Sequence, residues 1–310
     1  MINLKILIAT IPIEINIDKS FKNIRKLFLN FEKTNKSFTQ FKIHIFKSNN
    51  RLIKLSKDYK ELEISGNNIN DLENPFNIIG ILQAIFRFSA IHSIKKNIYL
   101  LHGSAAILNN KTFCFGDDGK STAKTLSSVE CALNSKKYIG DEFCFLDINT
   151  KKIFSYSFIP LHLRPDVKRH FVQTHKIIFP YSNYKETESG YFIKPTKLFK
   201  VITSSTLNSF VFIHLNNKCL KLKSLNNRQK KDSIGICISA HLLKLFYPHL
   251  DRMQFTTMKD SNKLIPPEKK LIKKLIKDLS LENAISQIAK IFPCYRIYIK
   301  KPCDIIELIK

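Results

Sequence analysis

One segment, residues 111 to 134, limits the choice of fold more than any other part of the chain. It joins a strand-like run, KTFCFG, to a turn containing glycine, the tetrapeptide Gly-Lys-Ser-Thr and an amphipathic run, TLSSVECALN, with helical spacing. Strand, glycine turn, Lys-Ser/Thr and helix in this order form the context of a phosphate-binding loop. The usual G-x-x-x-x-G-K-S/T frame has a glycine at the position of Cys114, whereas the nearest glycine here is Gly116. The segment therefore predicts a nucleotide-type α/β domain whose loop is two residues short.

The loop supplies the groups that hold nucleotide phosphates. Backbone N–H groups of the turn and of the helix N-terminus are expected to surround phosphate oxygens. Lys120 is expected to reach the transferring or bridging phosphate, and the Ser121 hydroxyl to take one Mg²⁺ position. The residues of the loop predicted to bind the cofactor are Gly116, Asp118, Gly119, Lys120, Ser121 and Thr122.

Two further features lie close to the loop in the sequence. The run YIGDEF places adjacent carboxylates, Asp141 and Glu142, near the end of the strand that follows the predicted helix. Phosphoryl transfer needs one acid near the metal and one near the acceptor hydroxyl. Adjacent side chains of a strand face opposite ways unless the backbone kinks. His102, just before the strand that precedes the loop, is the third candidate; a solvated acidic pair and a packed histidine are the alternatives.

Composition narrows the class of protein. A chain of 310 residues with 44% hydrophobic content can bury the core of one large or two ordinary domains. The longest apolar run, Asn77 to Ile91, is interrupted by Gln83 and Arg87 and is shorter than the ~20 residues that span a bilayer, so no membrane span is predicted. Seven scattered cysteines without a C-x-x-C pair predict reduced thiols in a cytoplasmic protein.

The net charge of +26 invites comparison with nucleic-acid-binding proteins. Only eight of the 51 basic residues are Arg, although the planar Arg fork is the preferred group for reading phosphates and bases. The lysines are spread along the chain, with no aromatic box of the kind found on RNA-binding sheets. The charge therefore predicts a solvated lysine-rich surface and no specific nucleic-acid partner.

The predicted elements divide the chain into residues 1–97 and 98–310. The first part is predicted to be a small α+β unit with a strand over residues 4–17, a capped helix over 20–33, and a helix from Pro75 to about residue 96. The second part is predicted to carry the loop on a mixed sheet and to end in helices. One of these, around residues 269–279, has an apolar stripe opposite lysines, and we expect the stripe to dock on a core.

The run LHGSAAILNNKTFCFG, the GKST tetrapeptide and the run YIGDEFCFLD together resemble the C-terminal catalytic domain of HPr kinase/phosphorylase. They resemble more closely the HPr-kinase-related proteins of bacteria, whose nucleotide domain has the phosphoenolpyruvate-carboxykinase-type fold. The similarity extends from about Ile98 to Pro165, and the run IAKIFPCYRIYI resembles the end of these kinases. The resemblance implies an N-terminal α+β unit followed by a P-loop domain with a mixed sheet and a helical C-terminal part.

The resemblance also implies roles for individual residues. Lys120 and Ser121 carry over as contacts to phosphate and Mg²⁺, His102 as an active-site residue, and Asp141 as the general base or the acid that orients a hydroxyl. Glu142 stands where the family usually has a second Asp and is the expected metal ligand. Arg164 is the candidate for a cationic group on the phosphates or the substrate.

The implied cofactors are ATP and Mg²⁺, and the implied partner is a hydroxyl-bearing peptide, protein or small metabolite. The Gly-rich motif around an Arg that HPr kinases carry further along is not found in this sequence, which argues against HPr itself. The enzyme family forms rings, so a homo-oligomer is one expectation. Three hypotheses stay open on the residues alone: an active kinase, a catalytically silent relative that binds a nucleotide or peptide, and a nucleic-acid-binding protein with a fortuitous GKST.

Overall fold

The fold is a mixed α+β arrangement with four sheets and seven α-helices in the part of the chain described, as a computed structural model of the protein shows. This confirms the predicted class at that coarse level. Chain contacts group Met1–Ile98 with Leu242–Ile265 as one unit, and Tyr99–His241 with Pro266–Lys310 as the other. Gly119 to Thr122 of the predicted loop, and Arg164, lie outside the described residues. The structure describes residues 1–21, 23–34, 39–49, 52–66, 69, 75–118, 123–163, 165–175, 184–187, 190–215, 220–247, 269–301 and 303–309.

The first unit contains one six-stranded sheet and a long helix. The strand order is third, first, second, fourth, sixth and fifth, and the second, fourth and sixth strands run parallel to one another. Its elements are β1 (Ile2–Ile8), β2 (Ile11–Ile17), β3 (Glu32–Lys33), β4 (Phe41–Phe46), β5 (Leu52–Leu55), β6 (Glu61–Ser65) and α1 (Pro75–Ser93).

The single strand predicted over residues 4–17 is wrong, because the chain reverses inside it. β1 and β2 form an antiparallel hairpin whose register pairs Ile8 with Ile11. Ala9 and Thr10 both have positive φ, 47° and 66°, as a tight two-residue hairpin turn requires. Neither residue is of the Asn or Gly type that favours such a turn, so the local sequence gave no signal for it.

The α-helix predicted over residues 20–33 is also wrong. The described residues form a short 3₁₀ turn at Ile24–Phe28, and the chain then enters β3. Ser20, predicted to cap the helix, instead donates both its N–H and its hydroxyl to Asp18, which makes a local turn. Ile24 and Phe28 of this segment are nevertheless buried, whereas Leu29 is exposed.

α1 is the core helix of the first unit and begins at Pro75 as predicted. In the described residues one stretch, Asn77–Lys96, is long and apolar enough to cross a membrane, and 89% of its apolar window is buried inside the protein. The buried Arg87 donates to the side chain of Gln83 at 3.2 Å, one turn earlier. Such burial is consistent with the core helix of a soluble protein, while the cytoplasmic location stays a prediction.

The second unit contains the candidate site and three sheets. The elements from residue 98 to residue 206 are β7 (Ile98–Leu101), β8 (Gly103–Leu108), β9 (Lys111–Gly116), α2 (Lys124–Ser135), β10 (Lys137–Gly140), β11 (Cys144–Asp147), β12 (Lys152–Phe154), β13 (Leu161–Leu163), α3 (Pro165–His175), β14 (Tyr184–Thr187), β15 (Gly190–Ile193), β16 (Lys200–Val201) and β17 (Ser204–Thr206). The later elements are β18 (Ser209–Leu215), β19 (Lys221–Ser224), α4 (Asn227–Phe246, whose last residues fall in the first unit), α5 (Lys269–Asp278), α6 (Glu282–Ile291), β20 (Cys294–Ile299) and α7 (Asp304–Ile309).

The main sheet of this unit has seven strands in the order β16-β10-β8-β9-β18-β20-β19. It is mixed, because β9, β18 and β20 run parallel to one another while β8 pairs antiparallel with β9. α2 and α7 cover one face, where Phe115, Val211 and Ile297 belong to a fully buried cluster. Parallel strands are ordinarily buried on both faces, which fits their nearly continuous apolar sequences.

A four-stranded sheet, in the order β17-β12-β11-β7, accompanies the main one. β7 continues into β8 and β10 continues into β11, and at each of these two junctions the chain passes from one sheet to the other. The runs NIYLLHGSAAIL and KKYIGDEFCFLDINT are each typical of one strand, and the prediction of a single strand is wrong for both. His102 lies at the first crossing, and Asp141 and Glu142 lie at the second.

The docking expected of the basic helix is confirmed for α5. Its Ile272 and Leu275 are buried, and its Ile276 lies against Gly235 of α4. The lysines on the other side of the helix, Lys270, Lys273, Lys274 and Lys277, are exposed.

Candidate functional site

The backbone of His102 is fixed at the first crossing between the sheets. Its N–H donates to the carbonyl of Cys237 on α4 at 2.8 Å, and its carbonyl accepts from the N–H of Asp117 at 3.0 Å. These bonds attach the crossing to α4 and to the end of β9, where the predicted loop begins. Burial raises the pKa of the Cys237 thiol to about 12, so this nearby sulfur stays protonated and is a poor nucleophile.

The second crossing has the backbone kink that an acidic pair needs to present both side chains in one region. Glu142 has a positive φ of 62°, and the N–H of Phe143 donates back to the carbonyl of Asp141 at 2.7 Å. The strand before the kink approaches Ser155 so closely that a Cβ at Gly140 would overlap that side chain. As a result the Glu142 carboxylate lies 3.3 Å from Nε2 of His102.

Asp141 is a nearly buried acid, with 8% of its surface exposed. The hydroxyl of Thr125, in the first turn of α2, lies 3.0 Å from both of its carboxylate oxygens. Burial, with the like charge of Glu142 adding to it, raises the pKa of Asp141 to about 7. A carboxyl group with such a pKa can accept and release a proton at neutral pH.

Lys124 is the cation at the centre of this cluster. Its Nζ lies 2.9 Å from Nε2 of His102 and 3.3 Å from the Asp117 carboxylate. Burial alone would lower the pKa of Lys124, but neighbouring carboxylates outweigh it and raise the pKa above the ordinary value. Those carboxylates belong to Glu142, Asp117 and Asp141.

Glu142 stays ionised in these surroundings. Burial favours its neutral form, but the charge of Lys124, with a smaller contribution from the neighbouring His102, holds the pKa of Glu142 well below its usual range. One ammonium therefore faces up to three carboxylates, and the deficit of positive charge favours binding of a further cation. On the other side of His102, Nδ1 lies 3.0 Å from Asp117 Oδ2, an ion-pair distance without hydrogen-bond alignment.

His241 of α4 completes the cluster. Its Nε2 donates to the backbone carbonyl of Glu142 at 2.6 Å, which leaves the lone pair of the neutral ring on Nδ1. The rings of His241 and His102 meet edge to face with centroids 4.8 Å apart. One ligand atom from each of these histidines and from Glu142 lies within 4.8 Å of the others, so the three side chains can hold a metal ion.

Asp118, predicted to bind the cofactor, has its carboxylate in contact with Arg296 and His214. Arg296 of β20 donates to it at 2.8 Å, and Nε2 of His214 on β18 lies 3.1 Å away. Gly116 lies just before it at the end of β9, where a Cβ would come 2.7 Å from the ring of Phe212. Glycine is therefore required there by packing between β9 and β18.

The structure brings together three of the predicted site residues, His102, Asp141 and Glu142, and places Gly116 and Asp118 at the adjoining end of β9. Sequence reasoning missed the other members of the cluster. Asp117 and Lys124 flank the loop, and their position next to the motif could have identified them as site residues. Residues much further along the chain carried no local signal, because only the parallel pairing of β9, β18 and β20 and the packing of α4 bring them here; they are His214, His241 and Arg296.

The fold and the site define a mixed α+β protein with a buried cluster of acids, histidines and one lysine where two sheets exchange strands. No protein-family model matches the chain, and no curated protein matches it at a significant level.

Proposed function

We propose that this protein is an ATP- and Mg²⁺-dependent kinase with an HPr-kinase-like P-loop domain, which transfers the γ-phosphoryl group to a Ser- or Thr-type hydroxyl. The observation that carries the proposal is the Asp141 carboxyl group. It is nearly buried, has a pKa of about 7, lies beside Glu142, and is held by Thr125 in the first turn of the helix that follows the GKST segment. Phosphoryl transfer to an alcohol uses such an acid to orient the hydroxyl and accept its proton.

In this mechanism Asp141 takes the proton from the acceptor hydroxyl as the oxygen attacks the γ-phosphorus. The new oxygen–phosphorus bond forms while the bond from the γ-phosphorus to the bridging oxygen breaks, so that ADP leaves with the electron pair. Thr125 holds both oxygens of Asp141 at 3.0 Å and so fixes the direction in which the base points. A proton on Asp141 is also stabilised by the adjacent charge of Glu142.

The residues around Glu142 suit a bound Mg²⁺. Glu142 is ionised, carboxylate oxygens are preferred ligands of Mg²⁺, and the cluster has more acids than cations. In the proposal Glu142 and Ser121 would hold the ion, which when bound neutralises charge on the phosphate oxygens. Lys124 keeps Glu142 ionised and His102 in place, and Lys120 carries the phosphate contact inferred from the motif.

The acceptor follows from chemistry only as a class, namely a hydroxyl-bearing peptide, protein or small metabolite. The expectations of a homo-oligomer, a cytoplasmic location and no specific nucleic-acid partner stay predictions of the same proposal. The silent relative and the nucleic-acid-binding protein are the competing outcomes of its test.

The test is incubation with γ-labelled ATP and Mg²⁺ in the presence of free serine, serine- and threonine-containing peptides, and candidate protein acceptors. Wild-type protein should label a hydroxyl, and Asp141→Asn should bind ATP with similar affinity but transfer roughly 10²–10⁴-fold more slowly. Asp58→Asn, an acid-to-amide change outside this cluster, serves as the control and should keep the activity. Binding of ATP without label on any acceptor would identify a silent nucleotide-binding protein, and no ATP binding at all would refute the proposal.

A further inference from the structure

A second group of metal-ligating side chains lies in the same unit, between α2 and α3. Nε2 of His170 lies 2.7 Å from one carboxylate oxygen of Glu130, and Nε2 of His175 lies 2.8 Å from the other. The three side chains share no residue with the cluster around His102, and their ligand atoms all lie within 4.8 Å of one another. We propose that Glu130, His170 and His175 form a binding site for a divalent transition-metal ion, with Zn²⁺ the best chemical match.

The burial of Glu130 is the first argument. Its side chain is 0% exposed, and in the described residues its ion-pair partners are these two imidazoles. A carboxylate removed from water is costly unless it is paired or coordinates a metal. The two imidazoles satisfy its hydrogen bonds, and a divalent ion held between the three side chains would compensate its charge.

The donor set is the second argument. Two imidazole nitrogens and one carboxylate oxygen are the protein ligands of open zinc sites, in which a water molecule takes the fourth position. Imidazole is a poor ligand for Mg²⁺, which prefers oxygen, so this donor set differs from the Glu142 and Ser121 oxygens proposed to hold Mg²⁺. The histidine side chains are 20% and 24% exposed, so an ion and a water molecule can reach the site from solvent.

The geometry needs only a small adjustment to accept an ion. Metal–ligand bonds of about 2.0–2.1 Å in a tetrahedron place ligand atoms about 3.3 Å apart, compared with the 2.7 and 2.8 Å separations observed. His175 is the last residue of α3, and both rings are at the solvent edge, so the rings can move outward while Glu130 stays fixed.

A hydroxyl group behind His170 supports either form of that ring. Oγ1 of Thr174 lies 3.4 Å from Nδ1 of His170. When Nε2 donates to Glu130, the hydroxyl donates to Nδ1; when Nε2 binds a metal, Nδ1 carries the proton and the hydroxyl accepts it. Metal-bound histidines usually have such a partner, which orients the ring and fixes its tautomer.

The proposal does not depend on the proposed function, and its test uses metal binding to the full-length protein. Metal-free protein is titrated with Zn²⁺ against a chromophoric chelator, and the titration is repeated with Co²⁺, whose ligand-field spectrum reports coordination number. We expect one tight equivalent in wild-type protein. His170→Gln and Glu130→Gln, which keep a hydrogen-bonding amide at the site, should each weaken that equivalent by more than the roughly 10–100-fold typical of changes beyond the ligands themselves.

Two control variants show whether the tightly bound Zn²⁺ is held by Glu130, His170 and His175 or by another group of residues. His214→Ala removes an imidazole that also contacts a single carboxylate, that of Asp118, and should leave zinc binding unchanged. His102→Ala should leave the equivalent assigned to Glu130 in place. No tight binding to wild-type protein, unchanged binding in both glutamine variants, or loss of the equivalent in His102→Ala would each overturn the proposal.

Discussion

At the scale of single residues, the acid pair at the second sheet crossing dominates the electrostatics of the candidate site. Two adjacent carboxyl groups share one buried region, and their surroundings push their pKa values apart, that of Asp141 up and that of Glu142 down. Separation of this kind gives two similar groups different roles, one as a proton acceptor and one as a permanent anion. Lys124, which contacts His102 and Asp117, is the reason that Glu142 keeps its charge.

The raised pKa of Asp141 predicts a specific dependence of stability on pH. Its pKa is 3.8 in the unfolded reference and about 7 in the folded protein, so folding favours the protonated form. The penalty for ionising it appears as pH rises above about 4 and is complete above about 7. Asp141→Asn removes this penalty and should raise the free energy of unfolding at pH 8 by about 2–4 kcal/mol, with little effect near pH 4.

Denaturant unfolding of wild type, Asp141→Asn and the control Asp58→Asn at several pH values checks this expectation. Asp58 is fully exposed and has a lowered pKa, so its amide variant should show no gain at pH 8. A variant of Asp141 that is destabilised equally at every pH would contradict the burial of an ionisable acid there.

Replacement of Lys124 should have the opposite effect. Lys124→Met leaves three nearby carboxylates without their shared cation and should destabilise the fold by about 3–5 kcal/mol at pH 8, because unpaired buried charges are costly. The loss should be smaller at pH 5, where Asp141, whose pKa is raised, takes up a proton.

The matched control for this prediction is Lys273→Met, which changes an exposed lysine of α5 and should alter the free energy of unfolding by less than about 0.5 kcal/mol. Thermal or urea unfolding at both pH values distinguishes the two lysines. Equal effects of the two substitutions would show that Lys124 is not held in a buried ion-pair cluster.

The residues of the site were predictable from the sequence only where a local motif carried them. His102, Asp141 and Glu142 follow from their positions around the GKST segment. His241 and Arg296 reach the site through packing of α4 and pairing of β20, and no short-range pattern marks either. The pair His170 and His175 becomes a candidate only once α3 places it against Glu130.

At the scale of elements, the two strand crossings build the site. β8 and β10 are antiparallel neighbours, with Gly140 opposite Ala105, so both crossings occur at the same end of these strands. Apart from Ser104, the sequence on either side of His102 is apolar, as expected for buried strands, and local alternation therefore does not reveal the change of sheet. The sheet that a strand joins depends on the strands that pair with it, and these lie far away in the sequence.

Gly140 is where the second crossing is most tightly packed, and it provides a test of this arrangement. Gly140→Ala places a Cβ against Ser155 and should destabilise the fold by about 1–3 kcal/mol, the usual cost of overpacking. Ser155→Gly makes space but removes the hydrogen bond from its hydroxyl to the carbonyl of Phe143. The double variant should lose less stability than the sum of the losses in the two single variants. Denaturant unfolding measures this difference as a coupling energy.

Gly235→Ala is the control of the same chemistry. Its added Cβ would meet only the flexible ends of Ile276 and Ile285, at 3.3 and 3.5 Å, inside a helix that favours Ala over Gly. It should be neutral or stabilising by up to about 1 kcal/mol. Additive losses in the Gly140 and Ser155 double variant would mean that these two residues do not meet.

At the scale of the whole molecule, the net charge of +26 sets the behaviour toward polyanions. A lysine-rich surface with few arginines binds nucleic acid through counterion release and without reading sequence. We therefore expect weak binding to single- and double-stranded DNA that falls steeply with salt and does not change when ATP and Mg²⁺ are added. Fluorescence anisotropy at several salt concentrations measures this, and tight, sequence-dependent binding at physiological salt would favour the nucleic-acid-binding alternative.

The central claim is that Asp141 accepts the proton of a hydroxyl during phosphoryl transfer from ATP. The most direct measurement is the single-turnover rate of γ-phosphoryl transfer, to a labelled acceptor or to water, as a function of pH for wild type and Asp141→Asn. The account predicts a wild-type rate that rises with pH to a plateau above about 7 and a variant that binds ATP but transfers at least about 100-fold more slowly, without that rise. A variant as fast as wild type, or a wild-type protein that binds no ATP, would contradict it.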